Sequence, residues 1–229
     1  MKANMKVASL NMHGRFHDGI DKWLHINQMV CDDKIVILAL QETHLNQDQT
    51  DNINSMFQDT LYVTASADLE NCTSKGVALV INKRLLLGVQ DIDHYKLCPG
   101  RALLISIPWH LQERINVLNI YALNDPTCNA AFWERIHDNI INLPQPDVIL
   151  GNFNFIEDPL DRLPAHFDNP TTVDNWQSVT TVTSHPVLCT PSRIYNTALF
   201  ALNLPHPNLI HIQTLLPPVL TFMCTLQHL

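Results

Sequence analysis

The chain has 229 residues, 46% of them hydrophobic, which suffices for one large domain or two small ones with a substantial core. Its formal net charge of -8 repels a phosphate backbone at long range and argues against tight, non-specific nucleic-acid binding by the chain's overall field. No stretch reaches the roughly 20 uncharged apolar residues of a membrane span, and Pro217 and Pro218 cut the nearest candidate, "LIHIQTLLPPVLTFMCTL". The start "MKANMKVASLNMHG" lacks the apolar stretch of a secretion signal, so an intracellular protein, nuclear or cytoplasmic, is expected. The six cysteines are scattered without a C-x-x-C pair, which fits reduced thiols in such a compartment.

In chain order, "KVASLNM" (Lys6 to Met12) reads as a short strand ending in polar residues. Ile20, Trp23, Leu24, Ile26 and Val30 then recur at helical spacing. "KIVILAL" is a continuous apolar run, the mark of a strand buried on both faces, and it ends in "QETHL". A polar helical segment follows around Asp48 to Phe57. Four strand-like runs come next, "LYVTAS", "GVALVINK", "RALLISIPW" and "RINVLNIYAL", with Gly76 and the "CPG" at Cys98 as turn signals. "PTCNAAFWERIHDNIINL" is amphipathic, with Phe132, Ile136, Ile140 and Leu143 on one stripe. The buried strand "DVILG" follows. Helices alternating with apolar strands predict a layered α/β domain, and the consecutive strands predict mixed sheets.

The remainder differs in character. From Asn175 onward there is no Asp, Glu, Lys or Gly, and Arg193 is the only formal charge. Prolines at 186, 191, 205, 207, 217 and 218 interrupt any long element. Residues 1–176 are expected to form the domain, and 177–229 a diverged tail, poorly ordered or non-native, that leaves the C-terminal part incomplete or degenerate.

Four polar clusters sit at the C-terminal ends of predicted strands: Asn11 in "LNMHG", Glu42 in "LQETHL", Tyr121 and Asn124 in "IYALND", and Asn152 and Asn154 in "LGNFN". Strand ends on one side of an α/β layer are where ligand sites gather. His13 and His44 lie beside the first two clusters and read as loop residues. Asp161 and Arg162 in "EDPLDR" read as a structural pair.

The ordered motifs "VASLNMHG", "ILALQETHL", "GVALVINK", "PGRALLISI", "INVLNIYALND", "FWERI" and "PDVILGNFNFIEDPLDRLPA" carry a resemblance to the endonuclease/exonuclease/phosphatase superfamily. The nearer likeness is to the apurinic-type endonuclease domains of fungal long interspersed (non-LTR) retrotransposons, and it covers about Lys6 to Trp176. The resemblance implies an α/β fold of two packed mixed β-sheets flanked by helices, a four-layer α/β sandwich with the site at one end. It implies hydrolysis of a phosphodiester with Mg²⁺ or Mn²⁺. Glu42 takes the metal-binding role, while Asn11 and Asn124 take substrate-binding roles. Tyr121, Asn152 and Asn154 take catalytic positions. DNA is the implied partner, nicked in the manner of a retrotransposon, with a reverse transcriptase fused to or encoded beside the domain in the parent element.

Two departures bear on activity. The family's Gly-Asp-Phe-Asn reads Gly-Asn-Phe-Asn here, and an amide keeps shape and hydrogen bonding but cannot accept a proton near neutral pH. The family's late Ser-Asp-His motif is missing; "TSHP" (Ser184, His185) comes too early and has no acidic neighbour. The expected function is therefore an impaired divalent-metal-dependent phosphodiesterase. The alternative is an inactive remnant acting at most as a binding module, and a lipid- or nucleotide-phosphatase of the same superfamily ranks third.

Overall fold

A computed structural model describes residues 5–12, 19–68, 75–86, 88–109, 113–155 and 168–182, and the strands 187–189, 199–204, 210–215 and 222–226 by their backbone. The chain runs β1 (Met5–Asn11), α1 (Gly19–Asp32), β2 (Ile37–Gln41), α2 (Gln47–Met56), β3 (Leu61–Ser66), β4 (Val77–Asn82), β5 (Asp93–Cys98) and β6 (Ala102–Pro108). It continues through β7 (Arg114–Tyr121), α3 (Pro126–Ile140), β8 (Val148–Asn152) and α4 (Pro170–Val182). Four strands close it: β9 (Val187–Cys189), β10 (Leu199–Leu204), β11 (Ile210–Leu215) and β12 (Phe222–Leu226).

The strands form two mixed sheets. One has the order β12-β11-β10-β1-β2-β4-β3 and the other β5-β6-β7-β8-β9. β1 and β2 pair in parallel, with Asn11 opposite Gln41. β7 and β8 do the same in the second sheet, with Tyr121 opposite Asn152. Each parallel pair therefore brings two strand ends side by side.

Burial divides the core into three apolar layers. Val7, Ile37, Leu79, Ile105, Val117 and Leu150 fill the space between the sheets. Trp23, Ile26, Ile53 and Phe57 of α1, α2 and the turn after α2 pack on the outer face of the first sheet. Phe132, Trp133, Ile136 and Ile140 of α3, with Trp176 and Val179 of α4, cover the outer face of the second. This is the expected arrangement of two sheets flanked by helices. β2 and β4 are buried along their whole length, as their apolar runs Ile37–Leu40 and Val77–Ile81 require.

Helix α2 begins with a reciprocal cap. The Asn46 side chain accepts from the Gln49 amide, and the Gln49 side chain accepts from the Asn46 amide. Asp125 accepts from the Cys128 amide at 2.8 Å to cap α3, with Pro126 in the first turn.

Before residue 183, β5 and α4 escape the sequence reading. β5 lies at the edge of its sheet with Asp93, His94 and Lys96 exposed, so it shows no apolar run. α4 is rich in Thr and Val, poor helix formers, and its formation rests on burial of Trp176 and Val179. Beyond it, β9 pairs with β8, and β10 pairs antiparallel with β1, Met5 facing Leu204. No described helix is long and apolar enough to cross a membrane. Cys31, Cys98 and Cys128 carry free thiols.

Candidate active site

The two sheets are locked together just beneath the strand ends. Gln41, the last residue of β2, donates from Nε2 to Asn119 Oδ1 on β7 at 2.7 Å and to Ser9 Oγ on β1 at 3.1 Å. Asn119 Nδ2 in turn donates to the Leu40 and Ala78 carbonyls at 2.9 and 2.8 Å. All three side chains are buried. A polar network with its main groups paired in an apolar layer fixes one relative placement of the sheets. The residue after Gln41 is Glu42, and two residues beyond Asn119 is Tyr121, so the clamp sets how these two meet.

Glu42 has left-handed backbone, with φ of 53°, and His44 follows with φ of 51°. Such conformations are uncommon for non-glycine residues and concentrate at functional sites. They are held from the side by Thr43 N donating to Gly76 O at 3.1 Å and His44 N to Lys75 O at 3.0 Å. Gly76 lies so close to this turn that a Cβ on it would stand 2.7 Å from Thr43 Oγ1.

Asn11 Nδ2 donates to Glu42 Oε1 at 2.8 Å, which orients the carboxylate. The Tyr121 phenol faces the same carboxylate. Burial, then the negative charge of Glu42 and its hydrogen bonding, push the phenol above its ordinary pKa, against the opposing pull of Arg101. Tyr121 thus stays a neutral donor throughout the neutral range.

Arg101, at the start of β6, is the residue that the sequence reading passed over. Its guanidinium lies 4.7 Å from the centre of the Tyr121 ring, within cation–π range. Nη1 donates to the carbonyls of Tyr121 and Ala122, both at 3.2 Å. The only sequence signal was an arginine directly after the Pro-Gly turn.

The β8 tip is tied to the same point. Gly151 has φ of 141°, and a Cβ there would fall 1.9 Å from the Ile120 carbonyl oxygen, so only glycine lets β8 lie against β7 here. Asn152 Oδ1 accepts from the Asn154 amide at 3.2 Å. Asn154, itself left-handed with φ of 54°, donates from Nδ2 to Ala122 O at 2.7 Å. Phe153 and Phe155 flank it and pack on Trp133, their ring centres both 5.7 Å from the indole. Trp176 meets Trp133 edge to face, with ring centres 4.7 Å apart, and also touches Phe153 and Phe155.

Of the six sequence candidates, Asn11, Glu42 and Tyr121 form one direct cluster. Asn152 and Asn154 join it through the Ala122 carbonyl and Arg101. Asn124 stands apart, exposed at the turn into α3 and without a hydrogen bond among the described residues. His13, Asp161, Arg162, Ser184 and His185 lie outside the described residues. Among the described residues no group of three or more His, Cys, Asp or Glu side chains gathers. Among the described residues the site has one carboxylate, and the remaining polar atoms belong to amides, a phenol and a guanidinium.

No protein-family profile and no curated relative matches the sequence. Solved structures do. An AP endonuclease from Archaeoglobus fulgidus superposes with a TM-score of 0.55 at 16% identity, over 78% of this chain and 70% of that one. The AP endonuclease of Leishmania major gives 0.57 at 16% identity, over 79% and 67%. The endonuclease domain of TRAS1, a telomere-specific non-LTR retrotransposon, gives 0.54 at 14% identity, over 79% and 73%. With its two mixed sheets, flanking helices and strand tips converging at one end, the chain has the endonuclease/exonuclease/phosphatase fold.

Proposed function

We propose that the chain is a divalent-metal-dependent phosphodiesterase of the DNA-nicking, retrotransposon type, slowed by the amide at position 152. The observation that carries this reading is the Glu42 carboxylate, held by Asn11 at 2.8 Å and faced by Tyr121 where two parallel strand pairs end. Resemblance of the fold to two AP endonucleases and a retrotransposon endonuclease supports it. A parent element encoding a reverse transcriptase beside the domain belongs to the same reading.

The donor set fits a magnesium-like ion. Hard cations take oxygen ligands, and Mg²⁺ commonly keeps several waters around one or two carboxylates, so Glu42 suffices as its protein anchor. When bound, such an ion would supply Lewis-acid polarisation of a phosphate oxygen and acidify a water. The chain's own groups do the rest. Asn11 fixes the orientation of the carboxylate that would hold the ion. Tyr121, kept protonated, donates to a phosphate oxygen as negative charge spreads in the transition state. Arg101 holds the Tyr121 ring and the Tyr121–Ala122 main chain in place. Asn154 fastens the β8 tip to Ala122, and Asn152 can orient a water but cannot take its proton. The loss of a general base at that position costs about 10²–10⁴-fold in rate.

Asn152 also favours a second reading, an inactive remnant that still binds DNA. A supercoiled-plasmid nicking assay with Mg²⁺ or Mn²⁺ separates the two. Slow nicking above a Glu42→Ala control is expected, and rates equal to that control leave the binding module.

A further inference from the structure

Beside the Tyr121 cluster, between the β5–β6 turn and α3, lies a cavity of about 520 Å³. Its polar lining is Lys75, Arg101, Arg135 and Asp68, and Leu123 and Phe132 form an apolar part of the wall. Three cations thus face one cavity in a protein of net charge -8, with one carboxylate among them. Lys75 is paired with that carboxylate, on Asp68. Arg101 is committed to two main-chain carbonyls and the Tyr121 ring. Arg135, in the third turn of α3, makes no hydrogen bond or ion pair among the described residues.

We propose that this cavity is an anion site for a DNA backbone phosphate flanking the one at Glu42, with Arg135 as its principal contact. The proposal rests on the phosphodiesterase reading for the identity of the strand. A guanidinium offers a planar fork that matches phosphate oxygens, and Arg135 has its donors uncommitted. The volume accommodates a sugar–phosphate unit, and cavities of about 300–1,000 Å³ are the usual range for small-molecule-sized ligands. Leu123 and Phe132 give the sugar an apolar wall. Arg101 borders both the cavity and Tyr121, so the cavity adjoins the place where a scissile phosphate would meet Glu42. A local cationic recess also resolves how a chain of negative overall charge can hold a nucleic acid.

The test is DNA binding in EDTA, where no cleavage occurs. Fluorescence anisotropy with a short labelled duplex is read across a KCl series for wild type, Arg135→Gln and Arg135→Lys. Arg135→Gln is expected to weaken binding by about tenfold and to lower the slope of log K against log salt by about one, while Arg135→Lys keeps the slope and loses only part of the affinity. In wild type, the Arg135 guanidinium resonance is expected to shift on titration with the duplex, which needs no variant to fold. Unchanged affinity and slope in Arg135→Gln, or an affinity loss with no change of slope, overturns the phosphate site while leaving DNA binding intact. Absence of DNA binding by the wild type overturns the site and the proposed function together. A slope change in Arg135→Gln in a protein that never nicks with Mg²⁺ upholds the site and removes only the hydrolysis.

Discussion

At the tip of β2 the chain keeps a carboxylate and surrounds it with orientation: Asn11 from β1, Tyr121 from β7, and the Gln41–Asn119 clamp underneath. At the tip of β8 it keeps the same degree of orientation without the charge. Gly151 admits the close approach, Asn152 and Asn154 satisfy each other, and Ala122 anchors them. Position and electrostatics are therefore separable in this fold. A strand tip can hold its geometry through main-chain contacts and neutral amides, with no charged side chain on it.

The largest effect comes from restoring the charge. Asn152→Asp is expected to raise plasmid nicking with Mg²⁺ by about 10²–10⁴-fold, since the neighbouring geometry already stands. If the rate stays at the wild-type level, the missing late Ser-Asp-His motif, and not position 152, sets the limit. Next comes the clamp common to both tips. Asn119→Ala leaves Gln41 and two main-chain carbonyls short of a partner, and urea unfolding should report a loss of about 3 kcal/mol. A loss below about 1 kcal/mol would mean that the sheets are aligned by apolar packing alone.

Glu42→Gln sharpens the contrast from the other side. Wild type at a Mg²⁺ concentration of about 100 Kd should gain about 2.7 kcal/mol, seen as a raised Tm, and the variant should gain none. A gain that survives in Glu42→Gln places the ion elsewhere. The smallest effect concerns Tyr121. Its folded-state pKa is raised above the ordinary 10.0, so its stabilising contribution is complete below that value and is lost as pH rises through the higher folded value. The stability difference between wild type and Tyr121→Phe should hold constant at neutral and mildly alkaline pH. Above pH 10 wild type should lose stability relative to the variant. A difference that already changes near neutrality would show that the phenol is not protected.

The parts of the fold that were legible share one property, local self-sufficiency. "KIVILAL" and "DVILG" announce buried strands because every residue is apolar, and Phe132, Ile136 and Ile140 announce a helix face by spacing alone. Glu42 and Asn11 stood out as polar residues placed where such strands stop. Features that depend on a distant partner were not legible. Asn119 reads as a polar interruption in "RINVLNIYAL" until β7 lies across β2, and it is then fully enclosed. Arg101 acquires a role only because β6 pairs with β7 and brings it under Tyr121. β5 and α4 lacked periodicity or propensity and depend on the elements they dock against. Asn124, pointed to by motif order, lies exposed at the turn into α3.

Phe153 and Phe155 bracket Asn154 and rest on Trp133 and Trp176, with Phe153 also 5.1 Å from the Trp176 ring. Both indoles are enclosed, and Trp133 Nε1 has no hydrogen-bond partner among the described residues. Indole emission follows the polarity around the ring, so the seating of the β8 tip is coupled to a built-in optical signal. Any ligand that lifts or tightens Asn154 must disturb those rings, and unlabelled protein would report the event by the colour of its own fluorescence.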